Sequence, residues 1–299
     1  MKPLLVGYTN PTSEPDAEAP TRRQPVYLTE DDLGTHIHGV GSTRSGKSKW
    51  IEWFCRQLVR YGAGFTLIDP QGALAEALVQ YFAYYLPQQP VIYFDPSRTD
   101  YLIPFNPFRR GIDDASVRVS KQVEATLRVW GAENADETPR LGRVLRCVYH
   151  LYTTGHISMN EAHALLMWEN AELRAHAVRL LAHNPTVQGE WRELAGYKRA
   201  SDYLAQVEST RNRLFPFVEP PQIRRIMSLE DRSLDFRTVF EQGAIVIANL
   251  RESEAFSEDN GRLIGTLMIN ELWSAARKYG NAAVNPYFLL IDEVQKFLT

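Results

Sequence analysis

The sequence predicts an α/β fold, a parallel-rich sheet with covered faces that is interrupted by an all-helical insertion. Three observations carry this reading. Strand-like and helix-like segments alternate over the first hundred residues, and a glycine-containing loop motif marks one strand-to-helix junction. Strand signal then disappears from about Asp113 to Met227 and returns afterwards. Alternating strands and helices give a sheet whose faces are both covered, which favours parallel pairing.

The elements follow in order. Residues 9–24 are rich in Pro, Ser, Thr, Glu and Asp, so residues 1–24 read as a flexible arm. Pro25–Leu28 reads as a short edge strand, and Thr35–Val40 alternates and runs straight into the loop. A helix is expected from Gly46 to Tyr61, with Ile51, Trp53, Phe54, Leu58 and Val59 spaced for a buried face. Gly64–Asp69 is a strand closed by the turn signal Pro70-Gln71-Gly72. Ala73–Tyr85 reads as helix and Pro90–Asp95 as a third strand.

Beyond these, helical periodicity takes over. Leu141, Val144, Leu145 and Val148 share one helix face, and Asn160–Met167, Ala171–Ala182 and Ser201–Phe215 are further helices. Breaks stand at Gly131, Gly155, Asn184-Pro185 and Pro220-Pro221. Strands are expected again at Ala244–Ala248 and Tyr287–Ile291, with a helix from about Asn260 to Tyr279 between them. The α/β core therefore comprises residues 25–112 and 228–299, and the insertion residues 113–227. Trp130, Trp168 and Trp191 of the insertion read as core residues rather than base-stacking platforms.

Bulk properties set limits. The chain has 299 residues, 44% hydrophobic and 23% charged, an ordinary balance for a globular protein. Apolar runs such as Phe288–Ile291 and Ala244–Ala248 are too short to cross a bilayer, and Leu4–Val6 is too short for a signal-peptide core. Cys55 and Cys147 fall in helical patterns, the placement of reduced core thiols, which implies a cytoplasmic setting. Net charge is −3, and residues 109–232 carry 18 basic against 16 acidic groups. That unevenness permits a local DNA-facing patch without arguing for one.

Gly41-Ser42-Thr43-Arg44-Ser45-Gly46-Lys47-Ser48 matches the phosphate-loop pattern GxxxxGK[ST] at every fixed position. Glycine lets the backbone curl so that successive N–H groups point at phosphate oxygens, and the following helix adds its positive end. Lys47 is expected to reach the β- and γ-phosphates, and Ser48 to ligate magnesium. The ligand implied is ATP with Mg²⁺.

Such a site also needs an acid for the metal and a group to orient water. Phe288–Ile291 is followed by Asp292-Glu293, at the end of a fully apolar strand where a parallel sheet delivers residues to its ligand edge. Asp292 is assigned to magnesium and Glu293 to the attacking water, so Lys47 and Glu293 are the candidate catalytic residues. Asp69 also ends an apolar strand, but no second acid follows it, and it reads either as a supporting residue or as a turn-former. Asp95 reads as a turn residue. His36 and His38 point to one side of their segment, with no cysteine or carboxylate at ligand spacing to complete a metal site.

The ordered landmarks resemble the HerA–FtsK class of DNA-pumping ATPases and, within it, the TraG/TraD-like coupling proteins of conjugation and type IV secretion. They are Pro25–Leu28, His36 and His38 before the loop, Leu67–Gly72, Val91–Pro96, Phe105-Asn106-Pro107-Phe108, the helical insertion, Gly243–Leu250 and Ile291–Phe297. The resemblance covers Pro25 to Thr299. It implies a RecA-like P-loop NTPase core, a homohexameric ring, and ATP hydrolysis that drives DNA through a central channel. It also brings a secretion channel, a relaxase or a nuclease as candidate partners, and recruitment to the inner face of a membrane. In such rings an arginine of one subunit reaches the next subunit's γ-phosphate. Arg211, Arg213, Arg224 and Arg225 are candidates by clustering, although an ordinary surface role suits any single one.

Two departures matter. Secretion-branch members often carry N-terminal membrane helices, which this sequence lacks. In the family, a further strand also lies between the phosphate-loop strand and the Asp-Glu strand, and this sequence continues only six residues past Glu293. The resemblance thus implies that the C-terminal part of the core lies in a longer protein, or that another segment fills the gap, and it leaves turnover by this chain open. A repair or defence motor, a protein-secretion ATPase, and a nucleotide-binding assembly subunit without hydrolysis remain alternatives.

Overall fold

The computed structural model describes residues 3–9, 23–108, 114–129, 139–154, 157–229, 232–280 and 286–297. Most of the expected arm, Trp130, and the breaks at Gly131 and Gly155 lie outside these residues.

Two strands, β1 (Leu4–Tyr8) and β2 (Pro25–Leu28), pair antiparallel ahead of a helical turn, α1 (Glu30–Leu33). The core follows: α2 (Lys47–Arg60), β3 (Gly64–Asp69), α3 (Ala73–Tyr85) and β4 (Val91–Phe94). The insertion comprises α4 (Ala115–Val129), α5 (Pro139–Tyr152), α6 (Met159–Leu165), α7 (Ala171–Leu180), α8 (Pro185–Ala195), α9 (Ala200–Val218) and α10 (Pro221–Ser228). The chain then returns through α11 (Phe236–Gln242), β5 (Ile245–Asn249), α12 (Glu258–Tyr279) and β6 (Tyr287–Ile291) to a short 3₁₀ turn, Val294–Lys296.

The main sheet is parallel throughout, in the order β4-β5-β3-β6. Parallel neighbours need crossover connections, and here α3 and α12 each carry the chain past an intervening strand. Side chains alternate between the two faces as a period of two requires. Phe65, Leu67, Ile245, Ile247, Phe288 and Leu290 pack toward α2 and α3, whereas Ile68, Val246, Ala248 and Ile291 pack toward α12 and the helical region. β3 and β5 are buried along their whole length. The fold is thus α/β, a four-stranded parallel sheet with helices on both faces and an all-helical interruption.

The helices of the insertion share one continuous apolar core with the sheet face that α12 covers. Leu141, Val144, Leu145 and Val148 are all buried, as their spacing on α5 requires. Trp191 is fully buried and donates its indole N–H to the Cys147 carbonyl at 3.0 Å. Trp168 packs against Tyr203. Both cysteines are free and buried, and desolvation pushes the Cys147 thiol up to about 12.

The observed chain departs from the expected one at two places. Within the segment read as an arm, Leu4–Tyr8 forms a strand, because Leu4 is fully buried against the α2 side and Trp50 Nε1 donates to the Val6 carbonyl at 2.8 Å. Thr35–Val40, expected as the strand entering the phosphate loop, belongs to no sheet, and Ile37 and Val40 are 48% and 85% exposed. A strand is stable only when its N–H and C=O groups find a partner. Among the described residues β6 pairs with β3 alone, and Thr35–Val40 pairs with no strand.

Candidate functional site

The loop from Gly41 to Ser48 leads into α2 with Gly46 at φ 94°, a left-handed turn that glycine adopts without a steric penalty. No side chain caps the start of α2, so its first N–H groups stay free for an anion. The loop closes on itself through Ser45 N–H to the Ser42 carbonyl at 3.1 Å. Lys47 turns its ammonium inward and donates to the carbonyls of Gly41 at 2.8 Å and Ser42 at 3.3 Å. A cation held against loop carbonyls is ready to exchange them for phosphate oxygens.

The other half of the site comes from the sheet. Asp292 continues the β3–β6 ladder by donating its N–H to the Ile68 carbonyl at 3.0 Å. Its carboxylate accepts from Ser48 Oγ at 3.0 Å, which joins residues 244 positions apart. Asp292 is 4% exposed, and desolvation pushes its carboxyl above the ordinary range. The Asp69 and Glu293 charges push the same way, while the Ser48 hydroxyl opposes them. A carboxylate with a hydroxyl beside it offers the oxygen donors that a hard divalent cation prefers. Ser48 Oγ and the Asp292 carboxylate thus bring together two oxygen donors of the kind Mg²⁺ takes, while among the described residues no group of three or more His, Cys, Asp or Glu is placed to hold a metal ion.

Glu293 follows in the left-handed region, at φ 48° and ψ 48°. Its N–H donates to Asp292 Oδ1 at 3.1 Å, and its carboxylate accepts from the Gln295 amide. Three contacts fix this turn on α12. Arg262 Nε donates to the Lys296 carbonyl at 3.1 Å, Lys296 pairs with Glu258 at 2.8 Å, and Phe297 packs over Gly265. A Cβ at Gly265 would lie 2.3 Å from the Phe297 ring, so this close approach requires glycine.

Asp69 proves to be a turn-former beside the site. It is fully buried, and its carboxylate accepts from Gln71 N–H at 2.9 Å and Ala75 N–H at 2.8 Å, capping the start of α3. Asp95 holds its own turn by accepting from Ser97 N–H at 3.0 Å. Arg211 and Arg213 lie on α9, which packs on α5, α6 and α10, and Arg224 and Arg225 lie on α10. The structure does not bring these four to the loop. His36 and His38 lie in the exposed segment before the loop.

Sequence reasoning missed Asn249 and Gln295. Asn249 pairs in register with Asp69 and donates to Tyr93 Oη at 2.9 Å and Asp95 at 3.3 Å, which ties three strand ends together. The signal was present: a lone amide closing an apolar run. Gln295 gave none, because its partner is set by the left-handed turn at Glu293.

This fold recurs in coupling-protein structures. The bacterial conjugative coupling protein TrwBdeltaN70, in an unbound form, aligns with a TM-score of 0.57 and 16% identity over 86% of this chain and 56% of that one. The plasmid coupling protein TrwB in complex with the non-hydrolysable ATP analogue ADPNP aligns at 0.55 and 15%, over 86% and 57%. TrwB in complex with ADP and Mg²⁺ aligns at 0.52 and 15%, over 86% and 57%. The chain has the coupling-protein fold. It spans just over half the length of those structures. No protein-family model and no curated protein matches it.

Proposed function

We propose that this chain is the ATP-binding unit of a motor that hydrolyses ATP with Mg²⁺ and moves DNA, as part of a homohexameric ring of the conjugative coupling type. The observation that carries the nucleotide reading is the 3.0 Å contact between Ser48 Oγ and Asp292 Oδ2, which joins the phosphate loop to the acid at the end of β6. The likeness to TrwB, a protein seen with ADPNP and with ADP and Mg²⁺, supports the same ligands here.

In this reading the loop N–H groups and the start of α2 bind the phosphates. Lys47 moves from the Gly41 and Ser42 carbonyls to the β- and γ-phosphates, where it offsets developing charge. Ser48 and Asp292 would hold Mg²⁺, which would supply positive charge to offset that of the phosphate oxygens. Glu293 orients the attacking water and accepts its proton, and Gln295 holds the Glu293 side chain in place. DNA contact in such a motor is mostly with phosphates and falls with salt. Among the described residues no helix is long and apolar enough to cross a membrane. The setting proposed is the cytoplasm, at the inner face of a membrane beside a secretion channel or relaxase.

A second reading is a nucleotide-binding unit that does not turn ATP over by itself. The exposed, unpaired segment Thr35–Val40 favours it, since the strand that should brace the loop has no partner.

The deciding experiment is ATP turnover by the 299-residue chain, with and without DNA, beside Lys47→Ala and Glu293→Gln. DNA-stimulated turnover lost in both variants is the expected result. Nucleotide binding without turnover in any of the three selects the second reading, and a folded chain that binds no nucleotide overturns both.

A further inference from the structure

The described backbone enters the left-handed region at six positions, and four of them are glycines: Gly46, Gly62, Gly72 and Gly243. The other two are Arg44, at φ 66°, and Glu293, at φ 48°. An L side chain is disfavoured there because its Cβ crowds the following carbonyl, and glycine escapes that cost. At the turns around Gly62 and Gly243 the fold uses glycine, yet on the two halves of one site, beside Gly46, it also uses charged residues. Backbone strain retained at a site points to a side chain that is needed there. Glu293 already has such a role. Arg44 has none beyond its backbone N–H.

The Arg44 side chain is exposed and takes part in no hydrogen bond or ion pair within the described residues, so no internal contact offsets its strained backbone. Lys47, three residues on, is by contrast satisfied by loop carbonyls. A planar guanidinium in the middle of a phosphate loop, without a partner, matches a phosphate group in both charge and fork geometry.

We propose that the Arg44 guanidinium is a second cationic ligand of the bound triphosphate, reaching it from the middle of the loop while Lys47 reaches it from the start of α2. This rests on the nucleotide-binding reading above. The loop therefore binds with its backbone and with two side-chain cations, and Arg44 favours the triphosphate over the diphosphate because the extra charge lies at the γ-position.

The test is titration of the full 299-residue chain with a fluorescent ATP analogue and its ADP counterpart, with thermal melting of the ligand-free proteins alongside. Arg44→Gly relieves the backbone and is expected to melt no lower than the native chain, while its affinity for the triphosphate falls about tenfold, the loss of one charge-assisted contact. The diphosphate loses less, and Arg44→Lys recovers part of the difference. Native-like or tighter triphosphate binding by Arg44→Gly overturns the proposal alone. A folded native chain that binds neither nucleotide overturns the nucleotide reading and this proposal with it, so the two failures are distinguishable.

Discussion

The loop from Gly41 to Gly46 and the turn at Asp292-Glu293 serve one site, but the chain holds them by different means. The loop is exposed at each of these positions, and the segment entering it lies outside any sheet. The turn extends a parallel ladder, is nearly buried at Asp292, and is tied to α12 by a hydrogen bond, an ion pair and an aromatic contact. The acidic half is thus braced from within the fold, whereas the loop is satisfied by its own lysine. Rigid support under the acid and adaptability in the loop would suit the proposed motor, whose site must release product on every cycle.

The sharpest way to break this contrast is to remove the support under the turn. Gly265→Val drives a branched side chain into Phe297, where even a Cβ would lie 2.3 Å from the ring. Overpacking of this kind costs about 3 kcal/mol. Thermal denaturation should show that loss, and Mg²⁺-dependent nucleotide binding should fall with it. An unchanged melting temperature would mean that the turn is not anchored through Phe297.

On the loop side, the ranking of effects reverses. Lys47→Ala should leave ligand-free stability unchanged, because its ammonium bonds only to loop carbonyls that water can satisfy instead. Triphosphate affinity should drop by about 2 kcal/mol, roughly thirtyfold, on calorimetric titration. A marked fall in ligand-free stability would show the loop to be as rigidly built as the turn.

How far the sequence displayed this arrangement depends on how local each signal is. The run Phe65–Ile68, the apolar Phe288–Ile291 and the face of α5 were legible because period and burial are properties of short segments. So was the pairing of loop with Asp292, since both ends carry their chemistry in the motif itself. The order β4-β5-β3-β6 was not, because strand pairing across more than two hundred residues leaves no local mark. Thr35–Val40 carries a strand pattern that is realised only where a partner strand exists. Leu4–Tyr8 carries a weak one that is realised because Trp50 and the α2 face receive it. The role of Asp69 was divided between two readings until its carboxylate was seen on Gln71 and Ala75 N–H.

A smaller effect, of opposite sign, tests the electrostatics of the acidic half. Asp292 has its carboxyl raised by desolvation and by Asp69 and Glu293, so the folded state holds its proton more tightly than the unfolded chain does. Stability from this group is therefore greatest at low pH and falls as pH rises through the raised value. Asp292→Asn should melt higher than the native chain at pH 7, and the advantage should shrink on acidification toward pH 4. The same variant should lose Mg²⁺-dependent nucleotide binding, separating function from stability at one residue.

The smallest expected effect sharpens the comparison at the rim of the turn. Glu258 has its carboxyl lowered by the hydrogen bond and charge of Lys296, and both side chains are partly open to solvent, at 55% and 33%. A screened pair of this kind is worth about 0.5 kcal/mol or less. Because the folded state depresses the Glu258 pKa, the contribution is present above the ordinary carboxylate range and is lost as pH falls through the depressed value. Glu258→Gln should therefore lower the melting temperature by about 1 °C at pH 7 and low salt, and by less at pH 3 or in 1 M salt. A fall as large as that of Gly265→Val would mean that the ion pair, rather than the packing of Phe297 on α12, holds the acid in place.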